Sequence, residues 1–300
     1  MKRIGAFVAV LLVGVSAIYF SERRHDSTPV SANAILEVAA DAQRDLTRMP
    51  MRLSRLSDEE EIGIGKELAQ QYSINAPDLS PEEIGLDNYV RRIGNSLAGH
   101  AHRRLPYSFH LYPDRSMINA FSLPGGPVYV GEGLLDLMTS EDELASVIGH
   151  EIEHIDHYHC AERVQVEAQL RHLKLGVIGI LVQIPLSVWE AGYNKDEELE
   201  ADREGMRLAV LSGYSPYGAV TLFEKFATLH KEYIIHAQSP QEELSGLAVQ
   251  SLEGYFRSHP EPSERLAQAN SIIAQEHWQN RKAQKPFRVE YEVHDGGYAK

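Results

Sequence analysis

His150 and His154 lie four residues apart, and Glu151 follows the first of them. Residues at this spacing project from one helical face, so both imidazoles can reach a single metal ion. A carboxylate beside the first ligand is placed to take a proton from a metal-activated water. The pattern His150-Glu151-Ile152-Glu153-His154 therefore points to zinc-dependent hydrolysis. A five-residue motif alone is not decisive, and its surroundings have to supply a helix and further ligands.

The helix is well signalled. Ser140 is expected as its N-cap, with Glu143 three residues on closing a capping box. Leu144, Val147, Ile148, Ile152 and Ile155 recur at helical spacing and should form an apolar stripe facing the core. The third metal ligand must come from elsewhere. The longer pattern with Gly three residues and His six residues after the motif is absent, because His157 and Cys160 occupy those places, which excludes the metzincin arrangement. Downstream, Asp196-Glu197-Glu198-Leu199-Glu200-Ala201-Asp202 reads as helical. Glu198 and Asp202 share a face, so one carboxylate could bind metal while the other accepts the outer N–H of a ligating imidazole. A solvated acidic face is the competing reading of such a run, and spacing alone does not separate Glu198 from Glu197 or Glu200.

Four ordered stretches carry a resemblance to a known family. They are Asn119-Ala120-Phe121-Ser122-Leu123-Pro124-Gly125-Gly126 with Val128-Tyr129-Val130, Glu143 to His154, Glu198-Leu199-Glu200-Ala201-Asp202, and Ser258-His259-Pro260 with Ser263-Glu264-Arg265. Over about residues 55–270 the chain resembles the zinc metallopeptidases of peptidase family M48, which include the HtpX, CaaX prenyl and BepA-type proteases. The resemblance implies one Zn2+ held by His150, His154 and Glu198, with Asp202 as the partner of a ligating ring. It implies Glu151 as the catalytic base and His259 close to the metal, either capping it or helping the transition state. Arg265 then pairs with a site carboxylate or helps hold the oxyanion, unless it is a surface arginine. Asn119, Ala120, Phe121, Val128 and Tyr129 would form an edge strand along which an extended polypeptide substrate pairs backbone to backbone.

The remaining candidates are weaker. His157 and His159 follow the motif by three and five residues and should point round the helix, away from a shared site. His110 is expected as an outward polar residue of the alternating strand Tyr107–Tyr112. Cys160, the only cysteine, excludes an intrachain disulfide and reads as a structural residue further along the active-site helix.

Whole-chain quantities agree with one catalytic domain. Three hundred residues, 43% of them apolar, suffice for a sizeable core. A formal charge of −14 and the lack of a basic, aromatic-interleaved stripe argue against nucleic acid as a partner. Met1-Lys2-Arg3 precedes an apolar run from Ile4 to Phe20, which reads as an export signal or an uncleaved signal anchor. The expectation is an exported, periplasmic protein, soluble or held at the inner membrane by residues 4–20.

The organisation expected is a signal or anchor over 1–20, a linker with a helical stretch over 21–54, a metallopeptidase domain over 55–270 and a tail over 271–300. Within the domain, helices are expected from Ser57 through Tyr72 and from Pro81 to Leu97, and strands at Tyr107–Tyr112 and Pro127–Val130. A tetratricopeptide module, which some relatives append, is not expected after residue 270. The apolar stretch 175–189 is short for a membrane span and contains Gln183 and Pro185. It reads either as a buried core helix or as a lobe that contacts membrane, envelope protein or unfolded substrate. The fold class is α+β: a mostly helical zincin-like domain with a small β-sheet edge beside the active-site helix. The function expected is zinc endopeptidase, acting on unfolded or misassembled envelope proteins in quality control. The rival is a chaperone-like or binding protein with a capped, latent zinc site.

Overall fold

The computed structural model describes residues 55–72, 79–170, 193–236, 255 and 259–287. The expectations for 1–20, 21–54 and 175–189 lie outside these residues.

Two helices open the described region. Helix α1 (Asp58–Gln71) is capped by Ser57 and α2 (Pro81–Ala98) by Ser80. Each cap is a full capping box, in which the serine accepts from a backbone N–H and the glutamate three residues on accepts from the serine N–H. Acidic first turns add favourable charge at both N-termini.

The sheet has three strands in the order β1-β3-β2, comprising β1 (Ser108–Tyr112), β2 (Ala120–Ser122) and β3 (Pro127–Gly131). β1 runs parallel to β3 with Phe109 opposite Val128, and β2 runs antiparallel with Phe121 opposite Tyr129. The turn between β2 and β3 requires Gly125 and Gly126, whose φ angles are 78° and 133°. The expected edge strand is corrected here. Val128 and Tyr129 occupy the central strand, so their backbone pairs with neighbours on both sides. β1 and β2 are the two edge strands among the described residues, and of the residues expected on the edge Ala120 and Phe121 lie on β2.

A short helix α3 (Glu132–Asp136) leads to α4 (Glu141–Asp156), which carries the His-Glu-x-x-His motif. Ser140 caps α4 by accepting from the Glu143 N–H at 3.2 Å. The expected reciprocal half of the box does not form. The Glu143 carboxylate instead accepts from Thr139 N at 2.7 Å and from Lys225 Nζ at 2.8 Å. Leu144, Ile148, Ile152 and Ile155 are fully buried, as their spacing implies. Burying one such side chain contributes about 1.5–3 kcal/mol. The opposite, polar face of α4 is buried as well, including His150, Glu151 and His154.

Helices α5 (His159–Leu170), α6 (Lys195–Leu211), α7 (Tyr217–His236) and α8 (Pro262–Gln275) complete the described elements. α4 packs against α2, α6, α7 and β2. The main core joins α2, the inner sheet face, α4, α6, α7 and α8, and a second cluster joins α1 and α5 to Phe121, Leu123 and Tyr129. The sheet is thus covered on both faces. The tail expected over 271–300 is not one at its start. Residue 271 lies within α8, and the chain then returns to the start of α4: Glu141 N donates to Lys285 O at 2.9 Å, and Phe287 N to Thr139 O at 3.0 Å.

Candidate metal centre

Three side chains from two helices converge. One ligand-type atom from each of His150, His154 and Glu198 lies within 4.8 Å of the others, and all three residues are buried. The two Nε2 atoms are 3.0 Å apart. Glu198 places Oε2 3.4 Å from His150 Nε2 and Oε1 3.8 Å from His154 Nε2. Four-residue spacing on α4 aims the imidazoles together, and α6 brings the carboxylate across to them.

That convergence needs a close helix crossing. A Cβ on Gly149 would sit 2.6 Å from Gly205 O, and one on Gly205 2.6 Å from His150 N. Only glycine at both positions lets α4 and α6 approach backbone to backbone.

The donor set fits a metal. Two imidazole nitrogens and one carboxylate form the combination that suits zinc and similar transition ions. Glu198 Oε2 is buried and makes no hydrogen bond, a costly arrangement unless a cation shares the site. Tyr193 N donates to Glu198 Oε1 at 2.9 Å, which fixes the carboxylate's orientation. Glu197 and Glu200 are separated from this role by structure. Glu197 closes the α6 capping box with Asn194, whereas Glu200 is half-buried and faces His157 and His159.

Behind His150, Asp202 Oδ1 lies 2.9 Å from Nδ1. Arg265 grips the same carboxylate through Nε at 2.7 Å and Nη2 at 2.6 Å. Arg265 is therefore a buried structural cation, not a surface residue. Burial opposes ionisation throughout this cluster, but partners outweigh it for several groups. Asp202 is held well below the usual carboxylate range by Arg265, and Glu198 is lowered to about 2 by the neighbouring His259 and His150 rings. His150 is raised to about 10 by Asp202 and Glu198. Burial pushes His154 well down, reinforced by the charge of His150, so the facing pair shares one proton when no metal is bound. Metal and proton compete for that position.

Glu151 lies between the ligands and β2. Ser122 Oγ donates to its Oε2 at 2.8 Å, and burial raises its pKa. Cys160 Sγ stands 3.4 Å behind Ser122, and burial pushes the thiol up to about 12, so it is an inert packing group. It does not lie on the active-site helix, because α4 ends at Asp156 and α5 starts at His159.

The expectation for His159 is overturned. His159 Nδ1 is 2.9 Å from His154 Nδ1, so it faces the site from behind. His157 does point away, towards Glu153 and Glu200. Two other contributors carry no local pattern. Tyr193 stacks on His154 with ring centroids 3.9 Å apart, and Ser122 is revealed as a Glu151 partner only by the strand's position.

His259 is near but outside the three-donor set. Its Nε2 lies 4.0 Å from Glu198 Oε2, and its ring stacks over His150 at 5.7 Å. Burial lowers its pKa to about 4, so the ring is neutral at pH 7. With Asn119, Ala120, Glu151 and Tyr255 it lines a cavity of about 20 Å3. That holds about one water and no peptide.

The model of Peptidase family M48 matches residues 86–273. The Beta-barrel assembly-enhancing protease of Yersinia pestis is 27% identical over 263 residues, covering 81% of this chain and 50% of that protein. The protein of the same name from Escherichia coli K12 is 29% identical over 238 residues, covering 73% and 45%. Metalloprotease LoiP of Escherichia coli K12 is 27% identical over 213 residues, covering 67% of this chain and 80% of LoiP. The chain spans about half the length of the two assembly-enhancing proteases. The family match covers the sheet, the His-Glu-x-x-His helix, the acidic helix and the Arg265 segment in one alignment, so the chain belongs to peptidase family M48, a family of metalloproteases.

Proposed function

We propose that this chain is a zinc-dependent endopeptidase. The observation that carries the reading is the pair of Nε2 atoms facing a buried carboxylate oxygen that makes no hydrogen bond, with Glu151 alongside. His150, His154 and Glu198 would hold the ion, and Asp202 with Arg265 would orient His150. When bound, zinc supplies Lewis-acid activation of water and of the peptide carbonyl. Glu151 takes the proton of the attacking water on its carboxylate and returns it to the leaving amine nitrogen. Its raised pKa suits both transfers, and Ser122 holds the carboxylate in place. An extended polypeptide would pair with β2, whose residues Ala120–Ser122 border Glu151.

Backbone pairing selects an extended, unfolded stretch rather than a sequence. This supports unfolded or misassembled envelope proteins as substrates, in keeping with the relatives' name and with the export-like N-terminus. The route is export to the periplasm, with residues 4–20 removed or retained as an anchor.

The cavity of about 20 Å3 favours a latent resting state. His259 and Tyr255 line this cavity together with His150 and Glu151, and in this reading substrate entry displaces them. Metal analysis with casein cleavage tests both statements. Glu151→Gln should retain zinc and lose about 10²–10⁴-fold in turnover. A metal-loaded Glu151→Gln that cleaves casein at the wild-type rate removes the assignment, and wild-type protein that binds zinc without cleaving supports a chaperone-like role. His259→Ala should raise casein cleavage with zinc retained. A fall of about 10²–10³-fold would assign His259 to oxyanion stabilisation instead.

A further inference from the structure

On an uninterrupted helix, a residue five positions after His154 would lie roughly 140° round the axis, away from the metal face. His159 is nevertheless in contact with His154. The chain achieves this by breaking the helix between them. α4 ends at Asp156, Tyr158 adopts φ 64°, and α5 starts at His159. A left-handed conformation at a tyrosine is strained and persists only where its surroundings impose it. Here the Arg55 and Arg103 guanidinium groups stack on the Tyr158 ring at 3.9 and 3.8 Å. The break returns the chain so that His159 Nδ1 lies 2.9 Å from His154 Nδ1, with both rings buried. On its far side, His159 Nε2 faces Glu200 Oε2 at 3.7 Å.

Two nitrogens at this distance share one proton. When His154 uses Nε2 for a metal, its Nδ1 carries the hydrogen, and His159 Nδ1 must accept it. His159 then holds its own hydrogen on Nε2, directed at Glu200. The two histidine ligands thus receive different support, His150 from the Asp202–Arg265 pair and His154 from an imidazole backed by a carboxylate.

We propose that His159 is the positioning residue of the second histidine ligand: it fixes the His154 tautomer and ring angle, and the left-handed turn at Tyr158 exists to bring it there. The proposal rests on the metallopeptidase reading above.

The test is Zn2+ affinity of the full chain, measured by competition with a chromogenic chelator, alongside thermal unfolding of the metal-free protein. His159→Leu offers no acceptor and should weaken zinc binding by about 10–100-fold. His159→Gln, whose carbonyl accepts the His154 N–H, should restore most of it. Tyr158→Gly adopts the same backbone without strain and should bind zinc like wild type. Unfolding temperatures comparable among the variants separate positioning from loss of fold. Equal affinity in wild type and His159→Leu overturns the proposal, as does a glutamine variant as weak as the leucine variant when both fold. Should the leucine variant not fold, imidazole 15N shifts of the zinc-loaded wild type decide. A hydrogen on His159 Nε2 supports the relay, and one on Nδ1 overturns it. Wild-type protein that binds no zinc overturns the metallopeptidase reading and this proposal together.

Discussion

Arg265 shows how much of the site depends on single side chains remote in sequence. It lies 63 residues from Asp202, is buried, and stacks over Phe223 at 4.4 Å while making a forked contact with the carboxylate and a further one with the Tyr255 hydroxyl. Removing one partner of a buried pair strands the other charge. Arg265→Leu should therefore destabilise the metal-free protein by about 3–5 kcal/mol, read from urea unfolding. Arg265→Lys should recover only part, because an ammonium lacks the planar fork. A change below about 0.5 kcal/mol in the leucine variant would show that solvent reaches Asp202. At this scale legibility follows locality. The spacing of His150, Glu151 and His154 encodes their common face directly, and the spacing of Glu198 and Asp202 encodes theirs. Whether Arg265 is buried depends on how α8 packs, which no local pattern records. His159 was hidden because a single φ angle at Tyr158, not a residue periodicity, redirects it.

The elements themselves were largely written in their caps. Ser57 and Ser80 start α1 and α2 where the sequence signals them, and the apolar stripe of α4 is buried as its spacing requires. Strand order was not legible, since β3 pairs with a strand on either side through contacts set by the whole domain. The return of residues 276–287 onto α4 was equally long-range. The crossing of α4 and α6 is the element-level device on which the centre depends. Gly205→Ala would place a Cβ 2.6 Å from a backbone nitrogen, a contact that no rotamer change relieves. We expect a loss of about 1–3 kcal/mol in stability together with weaker zinc binding, because Glu198 and Asp202 move with α6. Gly63→Ala on α1, where an added Cβ meets nothing within 4 Å, is the control and should be neutral or stabilising. Unchanged stability and zinc affinity in Gly205→Ala would mean that the crossing tolerates separation.

For the molecule as a whole, the buried titrating groups set a distinctive pH dependence, and metal should change its shape. In the metal-free protein, His259 is held neutral, with its pKa lowered from 6.5 to about 4. The unfolded chain then binds more protons between those values, so stability falls as pH drops from about 6.5 to 4. Glu198, lowered from 4.5 to about 2, and Asp202, lowered further, contribute stability above their unfolded values that is lost on more acidic titration. His150 acts in the opposite direction. Its pKa is raised from 6.5 to about 10, so its contribution is complete below pH 6.5 and lost as pH rises through about 10. Metal-free protein should accordingly be most stable near neutrality and decline on both sides, with urea midpoints across a pH series as the measurement. His259→Leu should make the arm below pH 6.5 shallower without abolishing it, because His154 is also held well below its ordinary value by burial and titrates in the same direction. Zinc displaces the proton of the His150–His154 pair, so loading should remove the alkaline decline attributed to His150. It should also steepen the acid one, because protonation of the ligands releases the ion. An alkaline arm that persists unchanged in protein carrying one zinc per chain would place the metal away from His150, whatever the activity of that protein.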